Sequence, residues 1–141
     1  MAFLQQLPMP ATFLYCIVAA AVLVYLPFLV VAYGRVVAGY DMAAPRALFD
    51  KLPAFAQRAT WAHQNSFESF SLFAAAALMA TVTGVESAWA AGAAIAYLIA
   101  RLLYSLFYIL NIAIARSLMF AVGSAGIATL MLLSLLRATG N

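Results

Sequence analysis

From Ala11 to Tyr33 the chain runs through an unbroken apolar stretch with no Asp, Glu, Lys or Arg, and its first charged residue is Arg35. A helix crossing the hydrocarbon core of a bilayer needs roughly 20 mostly apolar residues, so this segment reads as a membrane span. A cleaved leader would have a short apolar run behind a basic start; this run is too long, and no Lys or Arg precedes it. Pro27 lies inside it and is expected to kink it.

The rest of the chain repeats the pattern. Of its 141 residues, 68% are apolar and 8% charged, and the mean hydropathy is +1.05. A soluble domain carries about 25% charged residues, so this composition excludes one and leaves lipid as the solvent. Three more spans follow, giving four at about 11–33, 57–83, 88–110 and 116–136. We read residues 1–141 as one all-α integral membrane domain, a four-transmembrane-helix bundle. Gly84-Val85-Glu86-Ser87 forms a tight turn, with Ser87 as N-cap of the third helix. The Ala-rich runs 74–77 and 88–96 allow close helix approach.

Between the first two spans, residues 35–56 are polar and interrupted by Gly39, Pro45 and Pro53. So long a connection in a compact membrane domain is a candidate lid, with a short interfacial turn around Arg46–Phe55. Arg35, Arg46, Lys51 and Arg58 gather in or beside this loop and Arg116 lies at the third. The positive-inside rule therefore sets both loops in the cytoplasm and both termini on the other side. Nucleic-acid binding is excluded, because the basic residues form no stripe. Cys16 is the only cysteine and His63 the only histidine, so neither a disulfide within the chain nor a metal site is expected.

Ionisable groups inside a membrane helix are costly and mark function. Glu68, Arg101 and Arg116 are such groups. At about 100° per residue, Arg58, Trp61, Asn65 and Glu68 fall within about 80° on the second helix, and His63 points the other way. Tyr97, Arg101, Tyr104, Tyr108 and Asn111 fall within a similar arc on the third. Glu68 and Arg101 both lie roughly 15 Å into the bilayer, which predicts an ion pair. The pair alone would be structural glue. With the other polar groups on the two stripes it predicts a cavity for a polar ligand. Trp61 and Trp89 read as anchors at the membrane surface.

The segment Gln57-Arg58-Ala59-Thr60-Trp61-Ala62-His63-Gln64-Asn65-Ser66-Phe67-Glu68 resembles the signature of the MAPEG family, the membrane-associated proteins in eicosanoid and glutathione metabolism. Arg101, Tyr104 and Tyr108, followed by Arg116-Ser117, resemble the family's third helix and the start of its fourth. The resemblance covers nearly the whole chain. It implies a homotrimer of four-helix subunits in contact with membrane lipid, with glutathione as co-substrate in a cleft between subunits and a lipophilic small molecule as electrophile. By resemblance Arg116 is the catalytic residue that stabilises the thiolate. Arg58, Asn65, Glu68, Arg101, Tyr104, Tyr108 and Ser117 would hold glutathione, with Arg35 reaching in from the adjacent subunit. A free thiol is mostly protonated at neutral pH, and a nearby Arg favours its nucleophilic form.

Trp61 stands where eukaryotic members commonly carry a second Arg, and the Tyr108-to-Arg116 spacing is one residue shorter than theirs. In these respects the chain resembles the bacterial branch, which implies the inner membrane of a cell with both termini periplasmic. The function implied is a glutathione-dependent transferase or peroxidase acting on lipophilic electrophiles. A non-catalytic lipid- or fatty-acid-binding protein of the same family is the alternative, and a proton-coupled exporter using Glu68 is a third reading. The cation at Arg101 argues against the last by keeping Glu68 ionised.

Overall fold

The computed structural model describes residues 8–140, and within them every regular element is helical. Four long helices follow one another: α1 (Met9–Val37), α2 (Ala54–Val82), α3 (Ala88–Ile109) and α4 (Ala113–Ala138). Three of them, α1, α3 and α4, are long and apolar enough to cross a membrane. α2 has the length, 29 residues or about 43 Å at 1.5 Å per residue, but its first half carries the polar stripe. The chain termini, expected on the non-cytoplasmic side, lie outside the described residues.

The first, second and fourth helices extend beyond their expected bounds for local reasons. α1 continues past Arg35 to Val37. A cation in the last turn suits the negative end of the helix dipole, and the chain breaks away only at Gly39, which has φ +84°. Pro53 then starts α2, leaving a connection of residues 38–53 with a single 3₁₀ turn at Phe49–Lys51. Ser87 caps α3 as expected, its hydroxyl accepting from the Trp89 N–H at 3.2 Å. Between α3 and α4 the reversal takes three residues, with Asn111 in the left-handed region at φ 62°. α4 thus begins three residues before Arg116, whose N–H donates to the Ile112 carbonyl at 3.0 Å.

Small side chains govern the packing. Ala76, Ala77 and Ala80 of α2 and Ala90, Ala91 and Ala94 of α3 are buried together with Phe13 and Ala20 of α1 and Leu130 of α4. Lipid tails are as apolar as any side chain, so helices associate through close backbone approach rather than hydrophobic exclusion. Gly126 is the clearest case: a Cβ there would stand 2.9 Å from the Ala93 carbonyl oxygen. Gly34 of α1 packs so closely on Ala56 that a Cβ would collide with it. The outer faces are greasy. Leu14, Val18, Val22 and Leu29 are all exposed on α1.

Pro27 sits buried in the middle of α1. Its missing N–H disturbs the hydrogen-bond ladder of the preceding turn. His63 Nδ1 lies 2.8 Å from the Val24 carbonyl oxygen in that turn. A carbonyl only accepts, so Nδ1 carries the proton. His63 therefore points away from the Asn65 stripe, as its helical angle requires, and ties α2 to α1 within one chain.

Candidate functional site

The polar stripe of α2 faces that of α3, and the two form a seam of hydrogen bonds and rings. Arg101 lies at its centre and is only 4% exposed. Its Nη2 donates to Asn65 Oδ1 and to Ser66 Oγ, each at 3.1 Å. Its guanidinium carbon stands 4.1 Å from the centroid of the Tyr104 ring. Its Nε is buried without a partner. Ser66 Oγ lies 3.5 Å from Ser105 Oγ, and deeper along the seam Ser69 Oγ lies 3.1 Å from the Tyr97 hydroxyl.

No ion pair joins Glu68 to Arg101. The Asn65 amide stands between them, its Oδ1 accepting from Arg101 and its Nδ2 donating to Glu68 Oε2 at 3.5 Å. The reason is angular. On the ideal helix Glu68 lies about 60° around α2 from Asn65, and the Glu68 side chain remains exposed. Arg101 thus keeps its charge in a buried site with neutral partners and an N–H to spare. A buried cation in that state suits an anionic ligand.

The other end of the seam lies at the α3–α4 reversal. Arg58 Nε donates to the Ile109 carbonyl at 2.9 Å. The last carbonyls of a helix lack intrahelical partners and favour a cation, so Arg58 closes the end of α3. Arg116 enters from α4, its guanidinium carbon 4.6 Å from the Tyr108 ring centroid. Rings connect these groups. Phe49 packs on Trp61 with centroids 5.8 Å apart, and Trp61 approaches Tyr108 at 6.4 Å. Tyr108 meets Tyr104 edge-on at 5.6 Å, so the 3₁₀ turn of the connection touches the seam through Phe49.

Seven of the sequence candidates therefore come together: Arg58, Asn65, Glu68, Arg101, Tyr104, Tyr108 and Arg116. Ser117 is exposed beside Arg116. Arg35 does not join the seam within one chain. It lines a cavity of about 580 Å³ between α1, the α1–α2 connection and α2, together with Arg46, His63, Gln64 and, at the seam's edge, Glu68. Ser66 and Ser105, both buried in the seam, were not among the sequence candidates. A weak signal existed for Ser66, since Ala62, Ser66 and Ser69 follow helical spacing as one small or polar face.

A model of the MAPEG family matches residues 12–136. No curated protein and no solved structure matches the chain. The family match spans both helices of the seam and all three helices fit to cross a bilayer, so the chain is a multi-pass integral membrane protein belonging to the MAPEG family.

Proposed function

We propose that the chain is a membrane-embedded glutathione-dependent transferase or peroxidase that acts on lipophilic electrophiles. The observation that carries this reading is Arg101, a buried guanidinium with an unpaired Nε, in the same seam as Glu68, two tyrosines and Arg116. Glutathione has two carboxylates, an ammonium and a thiol. The residues present fit those groups in kind: Arg101 for a carboxylate, Glu68 for the ammonium, and the Tyr104 and Tyr108 hydroxyls for the peptide. Bound glutathione would supply a nucleophilic thiol.

In this reading Arg116 is the catalytic residue, and its charge favours the thiolate form. Tyr108 holds the Arg116 guanidinium by a cation–π contact, and Arg58 fixes the helix end beneath it. Phe49 and Trp61 keep water from this end of the seam and offer an apolar approach to an electrophile dissolved in lipid. The chain assembles as a homotrimer in which Arg35 serves the neighbouring subunit's seam. The connection bearing Arg46 and Lys51 and the α3–α4 reversal beside Arg116 face the cytoplasm, and both termini face the periplasm of a bacterial inner membrane.

Trp61 favours a second reading, a non-catalytic binder of lipid or fatty acid, because an indole in place of a guanidinium removes an anion contact. Glutathione turnover with a lipophilic electrophile separates the two. The transferase reading expects thiol consumption by the detergent-solubilised protein and loss of kcat in Arg116→Ala by about a hundredfold or more. Retained folding with no thiol consumption above background would favour the binder.

A further inference from the structure

The turn between α2 and α3 and the last turns of α4 meet at the end of the bundle away from the α1–α2 connection. A second hollow opens between them, with a volume of about 390 Å³, which lies in the usual range for small-molecule sites. Val85, buried in the bundle core, and Leu133 line it with hydrocarbon. Glu86 lines it from the turn and Arg137 from α4. None of these residues belongs to the α2–α3 seam or to the cavity that Arg35 lines.

Each charge has a local reason to stand where it does. Glu86 lies just before the first turn of α3, and Arg137 lies in the last turn of α4. Both suit the helix dipoles. The dipoles do not explain why opposite charges line one hollow without pairing. No ion pair joins Glu86 to Arg137, so an acid and a base are both left facing the same space. Ser87, the other polar group of the lining, is engaged as the N-cap of α3.

The hollow sits where the helices leave the bilayer. α3 begins at Ala88 and α4 ends at Ala138. Trp89, beside the turn, is 69% exposed, and membrane surfaces are where exposed indoles collect. Leu136 lines the hollow. Leu132 lies one turn before it on the same stripe of α4, and both are exposed. The stripe leads from the charged hollow toward the hydrocarbon core.

We infer that this hollow holds the head of an ethanolamine phospholipid, with its ammonium on Glu86, its phosphate on Arg137 and an acyl chain along Leu136 and Leu132. A guanidinium pairs with a phosphate through two parallel N–H···O bonds. A primary ammonium offers three N–H donors to a carboxylate. A choline head offers none, and a glycerol head brings no cation to offset Glu86. The lipid is a constituent of the surrounding bilayer held at its surface, not a ligand of the seam. The site therefore stands whether or not glutathione binds there.

Native mass spectrometry of the full-length protein released from a non-ionic detergent tests this. The probes are ethanolamine, choline and glycerol phospholipids with identical acyl chains. One saturable ethanolamine lipid per chain is expected, bound at least about tenfold more tightly than the other two, the usual effect of a hydrogen bond between charged groups. Glu86→Gln should erase the preference for ethanolamine over choline. Arg137→Gln should weaken both by a similar factor. Free phosphoethanolamine should not displace the lipid, because it lacks the chain. Both substitutions lie on the exposed surface, and the variants should melt like the parent. Equal binding of the ethanolamine and choline lipids, an unchanged preference in Glu86→Gln, or displacement by free phosphoethanolamine would each overturn the inference.

Discussion

Arg101 on α3 donates from Nη2 to Asn65 Oδ1 on α2 at 3.1 Å, and this contact joins the two polar stripes of the bundle. It places a neutral amide, rather than a carboxylate, next to a guanidinium that is 4% exposed. A buried charge left without hydrogen-bond partners costs far more than the pair itself gains. Asn65→Leu should therefore destabilise the protein by about 3 kcal/mol, while Arg101→Met, which removes the charge, should cost less. Thermal melts in detergent followed by circular dichroism give the ordering; a less stable Arg101→Met would contradict it.

The two glycines of α4 that face α3 separate tight packing from ordinary contact. A Cβ at Gly126 would meet the Ala93 carbonyl oxygen at 2.9 Å, whereas one at Gly123 would meet nothing closer than the Arg101 stem at 3.6 Å. Gly126→Ala should destabilise by about 1–3 kcal/mol through overpacking, and Gly123→Ala should be close to neutral. Equal melting temperatures for the two variants would show that α3 and α4 do not approach as closely as described.

His63 donates to the Val24 carbonyl, in the turn of α1 before Pro27, at 2.8 Å. His63→Leu should cost about 1 kcal/mol for the lost bond and speed amide exchange in the turn before Pro27. Hydrogen exchange with peptide-level readout checks it, and unchanged protection of residues 21–26 would show that the bond does not hold this turn.

How far the residues revealed these contacts differs from place to place. The seam was legible, because polar groups at helical spacing in otherwise apolar spans must face one another. The partner of Arg101 was not. Its side chain is long enough to reach either Asn65 or Glu68, and the choice turns on which one is buried. The cavity behind α2 was also hidden. It arises where the connection carrying Pro45, Arg46 and Phe49 lies over the gap between α1 and α2, and irregular backbone leaves no periodic trace. His63, polar on the face away from the Asn65 stripe, was the local sign of it. Helix ends moved by up to four residues because Gly39, Pro53 and Asn111, rather than the limits of apolar sequence, set where helices stop and start.

Trp61 offers a gain-of-function test of the proposed ligand. It stands on the seam side of α2 between Phe49 and Tyr108. Trp61→Arg would add a guanidinium at that position, and a bidentate carboxylate contact should raise glutathione affinity about tenfold. Titration of parent and variant side by side measures this. A weaker Trp61→Arg protein that still melts like the parent would argue that no glutathione carboxylate lies near this position.

The central claim is that the α2–α3 seam holds glutathione through the buried Arg101 charge. Calorimetric titration of glutathione into the detergent-solubilised protein, alongside Arg101→Met, tests it most directly. The expected result is saturable binding by the parent and at least about a tenfold loss in a variant that keeps its helical signal. No heat from the parent at millimolar glutathione, or equal affinity in the two proteins, would contradict it.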